Sequence, residues 1–344
     1  MNALVKYAKG SGNMEIRDVP EPSPVEGDVK IKVAYAGICG SDLHVYHDNI
    51  AIRMNFPVIT GHEYSGVITE LGEGVEGLNV GDRVISTNYE VCGMCPNCDV
   101  GYANLCDERK TFGYWFNGAF APYTTRKATR ILKIPENVSD VSAAMTEPLA
   151  CVCHAVYDLC KIQPGDLVLV TGPGAIGLMA MQVAKAHGAK VIVTGTSADE
   201  YRLTLAKQLG ADIAVNIDKE NLTDIVMAES ESIGADVVLE CSGSPGAIDS
   251  ALNLIRKLGY FTLIGLPGKK IEFDIEKICF KEIQFSGSFG SRKISWEQAL
   301  NLQARGLVTL DPMATLRLPL TQWEEAFKRF EQKEGCKILL QPQD

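Results

Sequence analysis

A chain of 344 residues exceeds what one hydrophobic core normally serves, so two domains are expected. Its composition, 46% hydrophobic and 22% charged, is that of a globular protein, and no apolar run approaches a membrane span. A net charge of −10 without any Lys/Arg block argues against nucleic acid and anionic membrane surfaces as partners.

The chain opens with MNALVKYAKGSGNMEIRDV, which lacks the apolar centre of a signal peptide and reads as strand, turn, strand. The 11 cysteines are an odd number and partly clustered, which does not suit a disulfide framework. Both features predict a cytoplasmic location. Short Val/Ile/Gly-rich runs follow at close spacing: VKIKVAYAGICG (29–40), YSGVITELGEGV (64–75) and GDRVIS (81–86). They predict a twisted, barrel-like β domain over the first ~150 residues.

Three segments of that domain carry groups able to bind metal or move protons: GICGSDLH, GHEYSG and MTEPLA. They contain Cys39, His62, Glu63 and Glu147, soft or carboxylate ligands far apart in sequence. A catalytic zinc needs three protein ligands and one exchangeable position. A lone His or Cys is more often a core residue; the combination points to a metal, with Ser41 and His44 two and five residues after Cys39. Between these segments lies VCGMCPNCDVGYANLC, which spaces Cys92, Cys95, Cys98 and Cys106 as Cys-x2-Cys-x2-Cys-x7-Cys. Four thiolates can close a tetrahedron around one zinc and leave no open position, so this site shapes a loop and does no chemistry.

From 165 to 268 the pattern changes to strands alternating with helices, the mark of a doubly wound parallel sheet. DLVLVTG is followed by a helical stretch to His187, then KVIVTG, the helix YRLTLAKQLGA, and GADVVLECSG. AIDSALNLIRKLG reads as helix and YFTLIGLPG as strand. Gly172, Gly174 and Gly177 stand in G-x-G-x-x-G register after a strand and at the opening of a helix. That is the context in which the first glycine makes the turn, the second admits a pyrophosphate and the third lets the helix pack. At the ribose-reading position the chain reads GTSADEYRL, with no acid directly after the strand. Thr196, Ser197 and Arg202 would receive a 2′-phosphate; alternatively a longer loop would return Asp199 to the ribose. Asp199 also reads as the N-cap of the next helix. NAD and NADP both remain open. The last stretch holds an amphipathic helix (WEEAFKRFEQ, 323–332) and a closing strand (CKILLQ, 336–341) that would return to the first domain.

Taken together, GHEYSGVI, GDRV, the four-cysteine lobe, NGAFAPY (117–123), EPLA and the glycine motif resemble a zinc-dependent medium-chain dehydrogenase, closest to the sorbitol (L-iditol) and threonine dehydrogenase branch. The resemblance runs the whole length. It implies an α/β fold with a GroES-like catalytic domain (1–152), a Rossmann domain (153–294) and a C-terminal segment (295–344) returning to the first. It implies two zinc ions per chain and NAD or NADP. Cys39, His62 and Glu63 resemble the catalytic zinc ligands, and Glu147 the acid that binds the metal or holds its water. Ser41 and His44 resemble the proton relay, and Cys92, Cys95, Cys98 and Cys106 the structural ligands. Ile176 and Leu266 join the cofactor contacts. A homo-oligomer, tetramer or dimer, is implied as well. The implied reaction moves hydride between a secondary alcohol and the nicotinamide, zinc bringing the hydroxyl pKa toward neutrality.

The pattern thins at the substrate pocket. Sorbitol dehydrogenases carry a Tyr soon after the relay His and an Arg-Tyr pair before a later Trp. Here Val45 follows His44, Tyr46 comes one place later, and SFGSRKIS before Trp296 offers Arg292 with no Tyr beside it. Phe112, Tyr114, Trp115 and Phe116 are expected to border the pocket. A polyol or sugar alcohol is the first substrate class, threonine or another secondary alcohol the second. Two other classes compete. A zinc-free quinone reductase of the same fold would lack both cysteine-bearing sites. A dinucleotide-binding protein without turnover would have no use for a complete metal and relay set.

Overall fold

The computed structural model describes residues 1–49 and 52–343. The chain forms two compact units. One comprises 1–147, 292–304 and 310–344; the other comprises 148–291 and 305–309.

The spine of the first unit is the strand Asp28–Gly37, whose Val29, Ile31, Val33 and Ala36 are buried. It pairs antiparallel with Glu63–Leu71 on one side and with Tyr123–Lys127 and Lys337–Gln341 elsewhere along its length. The sheet runs through strands 131–133, 83–86, 63–71, 28–37, 337–341 and 314–319 in that order. The closing strand therefore lies beside a strand laid down some three hundred residues earlier, in the register Leu339 to Gly37 and Leu340 to Ala36. The helix Trp323–Glu331 buries Trp323, Ala326 and Phe327, spaced three and four apart, against Phe120, Ile338 and Leu340 in the core. The N-terminal hairpin pairs Asn2–Lys6 with Met14–Asp18, as its strand–turn–strand pattern predicts. A two-stranded ribbon, Tyr89–Glu90 with Lys110–Thr111, closes the base of the loop that carries the four clustered cysteines.

The second unit is a six-stranded, all-parallel sheet. Numbered within the unit its strand order is 3-2-1-4-5-6, with Leu167–Thr171 first and Ala235–Glu240 fourth. The order reverses between those two strands, where open parallel sheets of this kind bind dinucleotides. Strand residues such as Leu169, Ile192, Val238 and Phe261 are wholly buried, as a sheet covered on both faces requires. One element differs from the sequence pattern. IRKLG, expected to end a helix, instead begins the strand Ile255–Leu263, and the helix is confined to Pro245–Leu254. Leu258 has a φ of 59°, a conformation no helix continues through. The Lys281 ammonium caps the helix end, donating to the carbonyls of Leu252, Asn253 and Ile255. The short strand Ile213–Asn216 is an element the sequence pattern did not mark.

Candidate metal and dinucleotide sites

Two clusters of metal-ligating side chains form among the described residues. In the first, the ligand atoms of Cys39, His62 and Glu63 lie within 4.8 Å of one another. Cys39 stands at the N-cap of the short helix Gly40–Tyr46, and Glu63 opens the strand that pairs with Asp28–Gly37. Two of the three are buried, His62 at 5% exposed and Glu63 not exposed at all, while Cys39 is half-buried. Thiol, imidazole and carboxylate make a mixed, open donor set of the kind catalytic zinc takes. The local field also calls for a cation. Burial alone would lower the His62 pKa, but the Cys39 sulfur, Asp42 and Glu147 outweigh it and raise it to about 10. The Lys337 ammonium, buried as well, is likewise held above its ordinary value, burial being overcome by Glu63, Cys39 and Glu147.

Groups that the sequence pattern did not single out support these ligands. Lys337, at the start of the closing strand, donates to Glu63 Oε1 at 2.8 Å and lies 2.5 Å from Oε2. Asp42 accepts the Cys39 backbone N–H at 2.8 Å and sets Oδ1 3.8 Å from His62 Nδ1. Its carboxyl is pushed up to about 6, chiefly by burial, with His62 opposing. Glu147 is outside the 4.8 Å cluster; its Oε1 accepts from Asn88 Nδ2 at 2.6 Å, and burial raises its pKa against the pull of His62. Ser41 Oγ accepts the Tyr114 hydroxyl proton at 2.7 Å, while His44 Nδ1 lies 2.9 Å from Asn49 Oδ1. No hydrogen bond joins Ser41 to His44 directly among the described residues.

The four aromatics divide. Phe112 is core, packed on Tyr64 and under the Arg126 guanidinium. Tyr114 faces Ser41 and His62. Trp115 and Phe116 line a separate cleft of about 460 Å³ with Asn55, Glu90 and Arg126, which contains none of the three clustered ligands. Arg292 donates from Nε to the Gly101 carbonyl at 2.9 Å and stacks on Tyr102, so it braces the cysteine loop.

The second cluster is Cys92, Cys95, Cys98 and Cys106, also within 4.8 Å of one another. Cys92 N–H donates to Cys106 Sγ at 3.5 Å. The backbone amides of Met94 and Cys95 bring the Cys92 thiol down to about 7, whereas burial and its neighbouring thiols push Cys98 up to about 12. Amide donors aimed at sulfur suit a thiolate shell, and four sulfurs fit a closed zinc site.

In the second unit, Gly172 has a φ of 87° and packs so tightly that a Cβ would stand 2.8 Å from Ser242 Cβ. A Cβ on Gly177 would meet the Gly172 carbonyl at 1.9 Å, while Gly174 faces open space. Gly174 is the N-cap of the helix Ala175–Ala186, so the turn leaves amide N–H groups and room for a pyrophosphate there. Ile176 is half-buried in the first turn of that helix, and Leu266 is exposed, its backbone against Gly243. At the ribose end, Asp199 holds the N-cap position without capping. Its Oδ2 accepts from the Thr196 N–H and hydroxyl at 3.2 and 2.9 Å, and Oδ1 pairs with Arg202 at 3.5 Å. Ser197 N–H donates to Asp218 Oδ2 at 2.7 Å.

Comparison with known proteins identifies the family. The family described as alcohol dehydrogenase GroES-like domain matches residues 25–136, and the family described as zinc-binding dehydrogenase matches residues 175–305. A sorbitol dehydrogenase of Halalkalibacterium halodurans is 44% identical, covering 100% of both chains. A D-arabitol-phosphate dehydrogenase of Enterococcus avium is 40% identical over 99% of this chain and 97% of its own. Among solved structures, one from Escherichia coli CFT073, described as a short chain alcohol dehydrogenase and solved with NADH, superposes with a TM-score of 0.89 at 31% identity, covering 99% of each chain. The chain belongs to the zinc-dependent medium-chain dehydrogenase family, and it is an oxidoreductase that uses zinc and NAD(P) to move hydride to and from a secondary alcohol.

Proposed function

We propose that the alcohol is a polyol or sugar alcohol, oxidised at a secondary hydroxyl to the ketone. The observation that carries this reading is the largely buried Cys39–His62–Glu63 cluster with a serine hydroxyl held beside it, in a chain 44% identical to a sorbitol dehydrogenase.

Cys39, His62 and Glu63 would hold the catalytic ion, with Glu147 beside them and Lys337 fixing the Glu63 carboxylate. An ion held there supplies Lewis acidity, lowering the pKa of an alcohol hydroxyl. Ser41 takes the hydroxyl proton at Oγ as it gives up its own toward His44 and solvent. His44 is the outward end of the relay: with Nδ1–H donating to Asn49, Nε2 keeps its lone pair to receive a proton. Cys92, Cys95, Cys98 and Cys106 hold the second ion and give the loop its shape. Gly172, Gly174, Ile176 and Gly177 cradle the pyrophosphate, Leu266 borders the cofactor, and Thr196, Ser197 and Arg202 read the ribose of NAD or NADP.

The protein works on a small molecule, without nucleic-acid or membrane partners, as a cytoplasmic homo-oligomer, tetramer or dimer. Its net charge of −10 supports the first point, and no helix among the described residues is long and apolar enough to cross a membrane. The test is a panel of polyols, amino alcohols and simple secondary alcohols, run with each dinucleotide in turn. Polyols should give the highest kcat/KM. Faster turnover of threonine or of simple alcohols would overturn the substrate assignment.

A further inference from the structure

Tyr114 is 2% exposed, and two glycine turns packed against each other fix its place. Gly61 precedes His62 with a φ of 88°, and Gly113 precedes Tyr114 with a φ of 82°. A Cβ on Gly113 would stand 2.7 Å from the Gly61 carbonyl oxygen. That same oxygen accepts the Ala119 N–H at 2.9 Å, and Gly113 N–H closes its own turn on Phe116 at 2.8 Å. The two turns are packed against each other, and the tyrosine ring lies 5.3 Å from the His62 ring, centroid to centroid. Its hydroxyl reaches two groups, Ser41 Oγ at 2.7 Å and His62 Nδ1 at 3.3 Å.

The chemistry of these groups gives the contacts one direction. Asp42 Oδ1 lies 3.8 Å from His62 Nδ1, beyond hydrogen-bond reach, and its field favours the imidazole proton on Nδ1. The other ring nitrogen then keeps its lone pair for an ion. Nδ1–H faces the Tyr114 oxygen. The phenol has one proton to give, and the shorter contact sends it to Ser41 Oγ. Ser41 is left with its own hydrogen and one lone pair for the pocket.

We infer that Tyr114 is a positioning residue, whose hydroxyl ties the orientation of the His62 ring to the rotamer of Ser41. The inference rests on the proposed roles of His62 and Ser41. No group in the sequence pattern carries this link, since Tyr114 reads there only as one of four aromatics.

The test uses full-length, zinc-loaded protein. Tyr114→Phe should keep zinc content, Tm and dinucleotide affinity while kcat falls about 10–100-fold, the usual cost of losing a group behind a ligand. KM for the alcohol should change far less. Tyr114→Phe combined with Ser41→Ala should lose little more activity than Ser41→Ala alone, because the two act as one unit. In cobalt-substituted protein, both Tyr114→Phe and Ser41→Ala should shift the visible absorption bands. Unchanged kcat in Tyr114→Phe, or fully additive losses, would overturn the inference. So would unchanged cobalt bands in Ser41→Ala, a variant that leaves the tyrosine in place. Full activity in His62→Ala would instead defeat the assignment of the metal site itself.

Discussion

The two metal-type clusters are built in opposite ways. The four-cysteine cluster takes its ligands from one loop of fifteen residues, 92–106, and most of its thiols are partly exposed. The Cys39–His62–Glu63 cluster draws on a helix start and a strand start, and its supports come from farther still: Asn88 behind Glu147, and Lys337 behind Glu63. The first is closed by spacing and uses only sulfur. The second is mixed, largely buried and surrounded by charge. A closed thiolate shell can only hold structure, whereas a mixed set with an open position can take a substrate oxygen. The contrast teaches that ligand spacing along the chain marks a structural site, and that a catalytic site is marked by the cost of its burial.

Substitutions sharpen the contrast. Cys39→Ser or His62→Ala should abolish turnover yet leave dinucleotide binding and Tm nearly intact; turnover comparable to the parent would refute the catalytic assignment. Cys98→Ser should do the reverse in kind: zinc measured by elemental analysis should fall from two ions per chain to one, and Tm should drop, because metal binding there is folding energy. An unchanged melting curve would count against a structural ion. Lys337→Met removes one partner of a pair in which both side chains are under 5% exposed, and such a loss costs about 3–5 kcal/mol. Urea unfolding would measure it, and a loss below ~1 kcal/mol would mean that Glu63 is neutralised by something else. Asn88→Ala strips Glu147 of its amide donor and should lower activity or zinc affinity about 10–100-fold, while the four-cysteine loop keeps its ion. The smallest effect belongs to Ser197→Asp, expected to shift the NAD-to-NADP preference severalfold toward NAD. A constant ratio would show that this loop does not read the ribose.

Much of this was legible in one dimension. Cys92 through Cys106, the glycine register 172–177 and the strand–helix alternation after 165 are all short-range patterns. The candidate ligands Cys39, His62, Glu63 and Glu147 stood out through their motifs and the family resemblance. Asp42, Asn88 and Lys337 did not, because a lone buried Asp, Asn or Lys has no spacing to betray it. Arg292, in the stretch before Trp296 where the sorbitol-dehydrogenase pattern thins, stacks its guanidinium on Tyr102 and bonds Gly101, a role that no spacing signals. The strand Ile255–Leu263 escaped because IRKLG has helical composition, and only the left-handed Leu258 and the lysine cap at 281 stop the helix.

By itself the amino-acid order determined the dehydrogenase class, the wound sheet and the dinucleotide turn, and it narrowed the candidate metal ligands to a few residues, since each depends on residues close in sequence or on a motif. Tertiary structure alone decided that Glu63 joins Cys39 and His62 while Glu147 stands apart on Asn88, that Lys337 guards the carboxylate, and that Tyr114 connects His62 to Ser41. Those are contacts between segments up to 274 residues apart, set by strand register and buried charge, and no local pattern encodes a distance of that kind.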